Sequence, residues 1–581
     1  MTDLDIDIPG RRGAARFLAV AAVSWGVVVA VMLAGGVLLT NDGPCHLFAG
    51  WVHANIKDPE LGFADFFLLH LPPTSRGFLD VFSPLYALAY DWKFAYVVTQ
   101  ITCTTAWIVG GLLVANALTG RSSIAHLIIV FCSLQTAYYL GFFPFILGGG
   151  LAFVGLGLWM KLREHLLWGA ALAAACFFLA ARCHVFVAAL IGVLLAADAL
   201  SRGRRTTLVA SLVGLPVVWV LVETWSALPP SAGGTVYVDG WERFAQLPDA
   251  FIPGPFWKTW PPLLLVLAGF AQGRTTPRRA MLIAGLIILV AGIALPRDFL
   301  GWQFGGWRFL PVAAVVGWSF LPAPSSWAGR GLLALIAASQ LGWSLWFHLD
   351  QHKKNAPLLA AMEKIPPSPL FRYPIIRIPH ENIIYQMSAH IHLGQMVTMF
   401  AGGASYYGHH SSPAYHAVLL KDGPVIPAGA DMSPHRVPGD VGDDNMALVM
   451  TRAARFDGII YYGHPTEVDY LKQIGYEVVF QEAGLIVANL VGCPLTINVD
   501  NATSPVTVSV GFEPGREPVH EFTLVPDAET TTYSHTIERL PCGERWVKAE
   551  GANLRCDKVT GSGANLGCTL RKPSPGASQE P

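Results

Sequence analysis

Residues 38–50, LLTNDGPCHLFAG, place an acid and an imidazole just past an apolar run that is long enough to cross a bilayer. Asp42 precedes Gly43 and Pro44, which favour the end of the first helix. A carboxylate in poorly hydrated surroundings suits a general base. The alternative is structural, because Asp is a common N-cap residue and Asp42 would then cap the helix CHLFAGWVHANI.

Two histidines follow Asp42 in the same segment. His46 and His53 are seven residues apart, so a helix would place both on one face, near Asp42. A zinc site would require a third and usually a fourth ligand, and the sequence shows none nearby. We therefore expect histidines of a membrane interface, with His46 as the candidate to act beside Asp42.

Arginines occur in two further segments that could meet Asp42 at one membrane surface. PPTSRGFLD contains Arg76, and PRDFLGWQFGGWRFLP contains Arg297, Asp298 and Arg308 beside two tryptophans. Tryptophans are common at membrane interfaces and carry little information alone. Arg308 begins an apolar run, where a charge is costly. Its side chain either snorkels to the surface or binds a phosphate through its planar fork.

A third candidate lies between two apolar runs, in FFLAARCHVFVAALIG, which contains Arg182 and His184. Ionisable residues inside a membrane region are candidates for function. The alternative is a tight turn that joins two helices.

The elements that position these residues are those of a membrane protein. The chain has 581 residues, of which 53% are hydrophobic and 14% are charged, against roughly 25% charged in soluble domains. The net charge of −1 argues against binding to nucleic acid. Apolar runs extend from about Arg16 to Phe347, and ordinary polar content begins near Asp350.

The apolar runs predict a polytopic α-helical membrane protein with about eleven spans. Two pairs, around 123–160 and 166–200, could each be one long broken segment. The predicted spans are 16–39, 94–118, 123–141, 143–160, 166–182, 184–200, 207–224, 259–272, 280–296, 308–322 and 330–348.

Lysine and arginine are concentrated in one set of connecting segments, which we expect to be cytoplasmic. The N-terminus would then be cytoplasmic, and the protein would lie in the inner or plasma membrane of the cell. The first loop, 40–93, and the C-terminal part would then be extracytoplasmic. The expected cytoplasmic residues are Arg11, Arg12, Arg16, Arg121, Lys161, Arg163, Arg202, Arg204, Arg205, Arg274, Arg278, Arg279 and Arg330.

The domain division predicted from these patterns has four parts. Residues 1–349 form the transmembrane domain, and 350–491 an α/β domain in which DGIIYYG and EVVFQEAGLIVANL form strands around the helix TEVDYLKQIGY. Residues 492–571 alternate with period two, as in LTINVD, VTVSVGF and HEFTLV, and predict a β-sandwich. Residues 572–581 have the composition of a disordered tail.

Four cysteines lie in the last 90 residues of the chain, and the other five lie in or beside apolar runs. Four clustered cysteines in an external segment predict two disulfides, with three possible connectivities. The four residues are Cys493, Cys542, Cys556 and Cys568.

The segments TNDGPCHLFAGWVHANI, YYLGFFPFILGGGLAFVGLGLWM, ARCHVFVAALIGVLL and GWRFLP, in this order, resemble the GT-C superfamily of membrane glycosyltransferases. The resemblance covers roughly residues 16–348. It implies an enzyme that moves a sugar from a polyprenyl-phosphate donor to an extracytoplasmic glycan, lipid or protein acceptor.

In such enzymes the acid of the first loop is the catalytic base and external basic residues hold the lipid phosphate. Carried onto this chain, the resemblance makes Asp42 the base, with His46 beside it. Donor-phosphate candidates are Arg76, His184, Arg297, Asp298 and Arg308. Asn41-Asp42 stands where members often have two acids, which leaves a divalent metal unsupported and favours a metal-independent member. A non-catalytic relative also remains open.

Two other classes of function remain open from the sequence. A transporter or flippase would place its ionisable groups at the bilayer midplane of two symmetric halves, and the sequence shows no internal repeat. A non-catalytic scaffold would use its external part to bind partners. An enzyme requires Asp42 and at least one arginine at a common external cavity.

Overall fold

A computed structural model of the chain contains two units, which are described separately. The first comprises Met1–Ile56, Phe67–Ala356 and His409–Leu420, and the second comprises Lys57–Phe66, Pro357–Gly408 and Lys421–Pro581. The structure describes residues 11–88, 91–227, 250–251, 256–273, 278–295, 305–377, 383–384, 387–388, 392–405, 418–421, 435–437, 453, 456–463, 468–500, 505–511, 520–525, 532–537, 540, 546–550, 555–560 and 566–571.

Helices dominate the first unit, and a 3₁₀ turn at Ile124–Leu127 precedes α6. The described helices are α1 Arg11–Ala34, α2 Gly43–Asn55, α3 Phe63–Phe66, α4 Arg76–Leu88, α5 Trp92–Thr119, α6 Ile128–Phe131, α7 Thr136–Tyr139, α8 Phe143–Lys161, α9 Leu166–Arg202, α10 Arg204–Ser226, α11 Phe256–Gln272, α12 Arg279–Ala294, α13 Gly305–Ser319, α14 Trp327–Met362, α15 Leu393–Ala401 and α16 Val468–Gln473. Of these, α3, α15 and α16 belong to the second unit.

Six described helices are long and apolar enough to cross a membrane, namely α1, α5, α8, α9, α10 and α14. Shorter apolar helices cover four more of the predicted spans: Ile124–Tyr139, Trp260–Gln272, Arg279–Ala294 and Arg308–Ser319. The polytopic α-helical membrane class is therefore confirmed, whereas the count of eleven spans is not confirmed.

Local sequence signals explain where these helices begin and end. The Asp91 side chain accepts a hydrogen bond of 2.9 Å from the Lys93 N–H and caps α5. The same helix ends at Gly120, whose φ of 73° is the left-handed conformation that glycine adopts readily.

On α10 the side chains of Leu208, Leu212 and Val222 are exposed, and an apolar surface of this kind suits contact with lipid.

α9 contains two helical halves that meet at His184, where φ is −160° and ψ is 97°. Gly148 of α8 lies against residues on both sides of this point, and Gly155 lies against the first half. Trp159 of α8 donates a hydrogen bond of 2.9 Å to Asp198 in the second half. Both halves therefore run beside α8, and the chain reverses at His184. The paired spans predicted at 166–182 and 184–200 correspond to the two halves of this hairpin.

The opposite end of the hairpin is closed by a buried ion pair. Asp198 is 4% exposed, and its carboxylate lies 2.8 Å from Arg202 and 3.8 Å from Arg278, which precedes α12. With the bond from Trp159, this carboxylate joins α8, α9 and the start of α12. A buried carboxylate requires such partners, because an isolated charge away from water is costly.

The second unit contains most of the strands. The described strands are β1 Phe67–Leu69, β2 Phe371–Arg377, β3 Ile383–Ile384, β4 Met387–Ser388, β5 Ala404–Ser405, β6 Val418–Leu420, β7 His435–Val437, β8 Gly458–Tyr462, β9 Tyr476–Glu482, β10 Leu485–Leu490, β11 Leu495–Asp500, β12 Val506–Gly511, β13 His520–Leu524, β14 Thr532–Ile537, β15 Trp546–Glu550, β16 Arg555–Thr560 and β17 Leu566–Arg571. β1 and β6 belong to the first unit, where they pair antiparallel.

A mixed sheet of parallel and antiparallel strands has the order β5-β2-β8-β10-β9, and β7 also pairs with β2. β2 is parallel to β5, β7 and β8, whereas β10 is antiparallel to β8 and β9. The strands predicted in DGIIYYG and EVVFQEAGLIVANL are confirmed as β8, β9 and β10, and the predicted helix between them as α16.

Two further sheets follow, with orders β14-β11-β17-β16 and β13-β12-β15. The strands predicted in LTINVD, VTVSVGF and HEFTLV are confirmed as β11, β12 and β13. The rings of Phe522 on β13 and His535 on β14 lie 4.1 Å apart, so the two sheets are in contact. The four domain boundaries stay a prediction, and the tail at 572–581 lies outside the described residues.

Cys493 is disulfide-bonded. The side chains of Cys542, Cys556 and Cys568 lie outside the described part of the chain, so the predicted connectivity stays a prediction.

Candidate active site

Asp42 lies at the N-cap position of α2, but its side chain makes no capping hydrogen bond. The main chain holds it in place, because the Asp42 N–H donates to the Leu140 carbonyl at 2.8 Å. The Gly43 N–H donates to Thr40 Oγ1 at 3.1 Å, which supplies the cap that Asp42 does not. The position predicted by the capping interpretation is thus observed without the capping bond.

A buried polar network supports the loop that carries Asp42. Thr40 Oγ1 lies 3.1 Å from the Tyr96 hydroxyl, and Gln100 donates to the Leu38 carbonyl at 3.2 Å. All of these side chains are almost fully buried. Buried polar groups that are satisfied in this way fix a conformation, so Asp42 is attached to a rigid part of the helical unit.

His46 lies one turn after Asp42, and its N–H donates to the Asp42 carbonyl at 3.3 Å. Its imidazole is half-buried and lies 5.4 Å from the ring of Phe78 in α4. His53, by contrast, is exposed. The two histidines predicted to share a face therefore have different surroundings, and only His46 lies in the interior beside α4.

Arg308, near the start of α13, is 7% exposed. Its guanidinium Nη1 donates to His184 Nε2 at 3.1 Å. An acceptor Nε2 implies that a neutral His184 carries its proton on Nδ1, because a guanidinium can only donate. The Arg308 guanidinium carbon lies 4.1 Å from the ring centre of Phe142 and 5.6 Å from that of Phe145. These distances are those of cation–π contacts.

His184 lies at the turn of the α9 hairpin, where its ring meets the edge of Phe145 at 5.4 Å. It is close enough to both Arg308 and His46 for their charges to interact. Phe142, beneath Arg308, is two residues from Leu140, which binds the Asp42 main chain. The contacts thus link Asp42, His46, His184, Arg308 and Phe142, and we call these five residues the Asp42 cluster.

Arg76 has different partners. Its Nε lies 3.3 Å from the Asp80 carboxylate, one turn along α4, and both side chains are substantially exposed. Arg182, at the α9 turn, is close enough to Arg76 for an electrostatic interaction and lies 3.8 Å from Glu223 of α10. The structure therefore places Arg76 in a second charged group beside the same turn.

Arg297 and Asp298 lie outside the described residues, so their role stays a prediction. Where the chain is described, no three His, Cys, Asp or Glu side chains form a group that could hold a metal ion. Metal dependence likewise stays a prediction.

Phe142 was not expected as a site residue. In the sequence it belongs to the apolar stretch FFPF, which reads as the start of a span. Its role depends on Arg308, which lies 166 positions later, and the only local signal was a run of aromatic residues before a proline. The sequence does show that a cation needs a partner at the start of α13, but not which residue supplies it.

The arrangement has the parts needed for proton transfer next to a bound anion. The Asp42 main chain binds Leu140, and the Arg308 guanidinium lies on Phe142, so two distant segments that carry an acid and a cation contact the same short stretch before α8. Apolar surroundings strengthen an interaction between a guanidinium and an anion, because little water screens it. The His184 imidazole lies against the guanidinium and limits the directions in which the guanidinium can donate hydrogen bonds.

No family model matches the chain. No curated protein matches it either. Among solved structures, ArnT from Cupriavidus metallidurans in the apo state is similar, with 12% identity and a TM-score of 0.49 over 82% of this chain and 97% of that chain. ArnT bound to undecaprenyl phosphate gives 14% identity and a TM-score of 0.46, over 82% and 97%.

The apo oligosaccharyltransferase from Archaeoglobus fulgidus gives 11% identity and a TM-score of 0.45, over 95% of this chain and 99% of that chain. These similarities extend over most of this chain. The similarity concerns the fold, so the assignment of function rests on the residues of this chain.

Proposed function

We propose that the chain is an integral membrane glycosyltransferase that moves a sugar from a polyprenyl-phosphate donor to an acceptor on the extracytoplasmic side. Asp42 is the general base, and Arg308 binds the donor phosphate. The acceptor is a hydroxyl-bearing glycan, lipid or protein. The N-terminus is cytoplasmic, and the C-terminal part is extracytoplasmic.

The observation that carries this proposal is the composition of the Asp42 cluster. Arg308 is buried between His184 and Phe142. The Asp42 main chain binds Leu140, two residues before Phe142, and His46 interacts electrostatically with His184. A transporter would require ionisable groups near the middle of its spans, whereas these groups lie where α2, α8 and α13 begin and α9 turns.

The mechanism follows from the properties of each group. Asp42 removes a proton from the acceptor hydroxyl as its oxygen attacks the anomeric carbon. The bond between that carbon and the phosphate oxygen breaks, and the charge that develops on the departing phosphate is stabilised by Arg308. His184 orients the guanidinium. Phe142 and Phe145 exclude water, which would otherwise hydrolyse the donor.

The test is transfer by the purified full chain, supplied with a panel of polyprenyl-phosphate sugars and candidate acceptors. Asp42→Asn keeps the shape of the side chain and removes the base, so we expect transfer to fall by about 10²–10⁴-fold. Asp65→Asn is the matched control, because Asp65 is an exposed acid of α3 in the first loop. It should retain the activity of the unsubstituted chain.

Two results would contradict the proposal. Undiminished transfer by Asp42→Asn would show that Asp42 is not the base. If no donor released its lipid phosphate, the proposal that the chain is a glycosyltransferase would be wrong. The proposed reaction uses no cofactor, so a chelator should leave the rate unchanged. Loss of transfer with EDTA, restored by a divalent ion, would replace this part of the proposal with a metal-dependent mechanism.

A further inference from the structure

A threonine of the first loop completes the hydrogen bonding at the α9 turn. In a continuous helix the Val185 N–H would donate to the Ala181 carbonyl. Here the Val185 N–H donates to Thr74 Oγ1 at 3.0 Å, and the Thr74 hydroxyl donates to the Ala181 carbonyl at 3.1 Å. One side-chain hydroxyl therefore bridges the two main-chain groups that the turn at His184 separates.

The residues around Thr74 bind the same turn. The Ser75 N–H donates to the Cys183 carbonyl at 3.2 Å, and Arg182 donates to the Pro73 carbonyl at 2.7 Å. A Cβ at Gly77 would lie 2.9 Å from the Arg182 side chain, so this close approach requires glycine. Four loop residues, Pro73, Thr74, Ser75 and Gly77, thus contact the same turn.

Burial makes the Thr74 hydroxyl consequential. Thr74 is 3% exposed, and Val185 and Ala181 are fully buried. Removing the hydroxyl would leave a donor and an acceptor buried without this partner, which is more costly than the loss of an exposed hydrogen bond. The turn would have to open or rearrange to recover these bonds.

His184 connects this turn to the Asp42 cluster. It precedes Val185 directly, and its extended backbone is what separates the two helical halves. The His184 ring accepts the hydrogen bond from Arg308 and packs on Phe145. A change in the turn therefore displaces the imidazole that orients the Arg308 guanidinium.

We propose that Thr74 is a positioning residue, whose hydroxyl sets the α9 turn so that His184 holds Arg308 in the geometry that transfer requires. The effect on transfer rests on the proposed function. The effect on the turn does not, and it can be measured in a protein of any activity. Thr74 acts through His184 and does not touch the reacting groups.

The experiment compares Thr74→Val, which keeps the shape and loses the hydroxyl, with Thr74→Ser, which keeps the hydroxyl. Thr224→Val is the matched control, because Thr224 is equally buried and its hydroxyl donates to the Val220 carbonyl of its own helix. The readouts are kcat and KM for sugar transfer per folded protein, and the rate at which a maleimide labels Cys183, followed by peptide mass spectrometry.

Cys183 reports opening of the turn because it is a free thiol, 1% exposed, whose carbonyl binds Ser75. We expect Thr74→Val to raise Cys183 labelling and to lower kcat, each by about tenfold, which corresponds to about 1.4 kcal/mol. Thr74→Ser should restore both quantities to within about threefold of the unsubstituted chain. Thr224→Val should change neither.

Equal labelling in Thr74→Val and the unsubstituted chain would overturn the inference, whatever the activity. Faster labelling with unchanged kcat would also overturn it, because the hydroxyl would then be merely structural. If the unsubstituted chain transfers no sugar, the proposed function fails, and the labelling comparison alone decides whether Thr74 closes the turn.

Discussion

Arg308 is held by contacts that suit the binding of an anion. Its cation lies on the face of Phe142 and against the edge of an imidazole, which fixes the plane of the guanidinium. A planar fork that is already oriented loses little conformational freedom when it binds a phosphate through two hydrogen bonds. A lysine at the same position would offer a point charge on a flexible stem.

Arg308→Lys should therefore lower kcat/KM for the lipid-phosphate donor by at least about tenfold, mainly through a higher KM. Steady-state kinetics at varied donor concentration measure the effect. Arg330→Lys is the control, because Arg330 is exposed and bonds to the Pro324 carbonyl. Unchanged donor affinity in Arg308→Lys would show that charge alone, without the planar fork, is sufficient at this position.

The sequence predicts the chemical types of the site better than their arrangement. Asp42, His184 and Arg308 could be selected because each interrupts or borders an apolar run. An ionisable group is costly there and is therefore a candidate for function. Phe142 and Thr74 could not, because an aromatic ring or a hydroxyl is unremarkable until its distant partner is known. Arg76 was selected by the same signal as Arg308, but its contacts are with Asp80.

Of the six described helices that could span a membrane, α8 is the most buried. It lies between α5 and both halves of α9, and most of its residues are buried. Small residues allow helices in membranes to approach closely, and α8 contains the run Gly148-Gly149-Gly150. At Gly150 the approach is to the α5 main chain, since a Cβ there would lie 2.6 Å from the Trp107 nitrogen.

Gly150→Ala should lower the melting temperature of the purified protein, because the added methyl group forces α5 and α8 apart. Overpacking of this kind costs about 1–3 kcal/mol. Gly192→Ala is the matched control, because a Cβ at Gly192 in α9 would meet nothing within 4 Å. The contrary result is a Gly150→Ala protein that melts together with Gly192→Ala, which would mean that the helices readily separate by a few tenths of an ångström.

Hydropathy predicts where apolar segments lie but not how each one is divided into helices. The predicted span 123–141 is a 3₁₀ turn followed by two four-residue helices, α6 and α7. The spans 166–182 and 184–200 are close to the two halves of α9, because two ionisable residues interrupted the apolar run at the turn. Short helices within an apolar segment give no comparable signal in the sequence. The polar main-chain groups at their ends form hydrogen bonds with residues that the local sequence does not reveal.

At the scale of the helical unit, the two ends of α8 differ in charge. The end near Lys161 lies beside the Asp198 ion pair, which brings Arg202 and Arg278 together. The Asp42 cluster lies at the end near Phe142. The 19 residues of α8 span about 28 Å, close to the roughly 30 Å of a bilayer core. By the positive-inside rule we expect the end with Lys161 in the cytoplasm and the Asp42 cluster outside, which is the orientation proposed above.

Labelling with a membrane-impermeant maleimide tests this orientation. Lys57→Cys lies in the first loop and Arg163→Cys follows α8, and both positions are exposed. In intact spheroplasts we expect Lys57→Cys to be labelled above the unsubstituted chain and Arg163→Cys to be labelled only after lysis. The unsubstituted chain corrects for its native cysteines. The reverse pattern would place Asp42 and Arg308 on the cytoplasmic side, where an extracytoplasmic acceptor could not reach them.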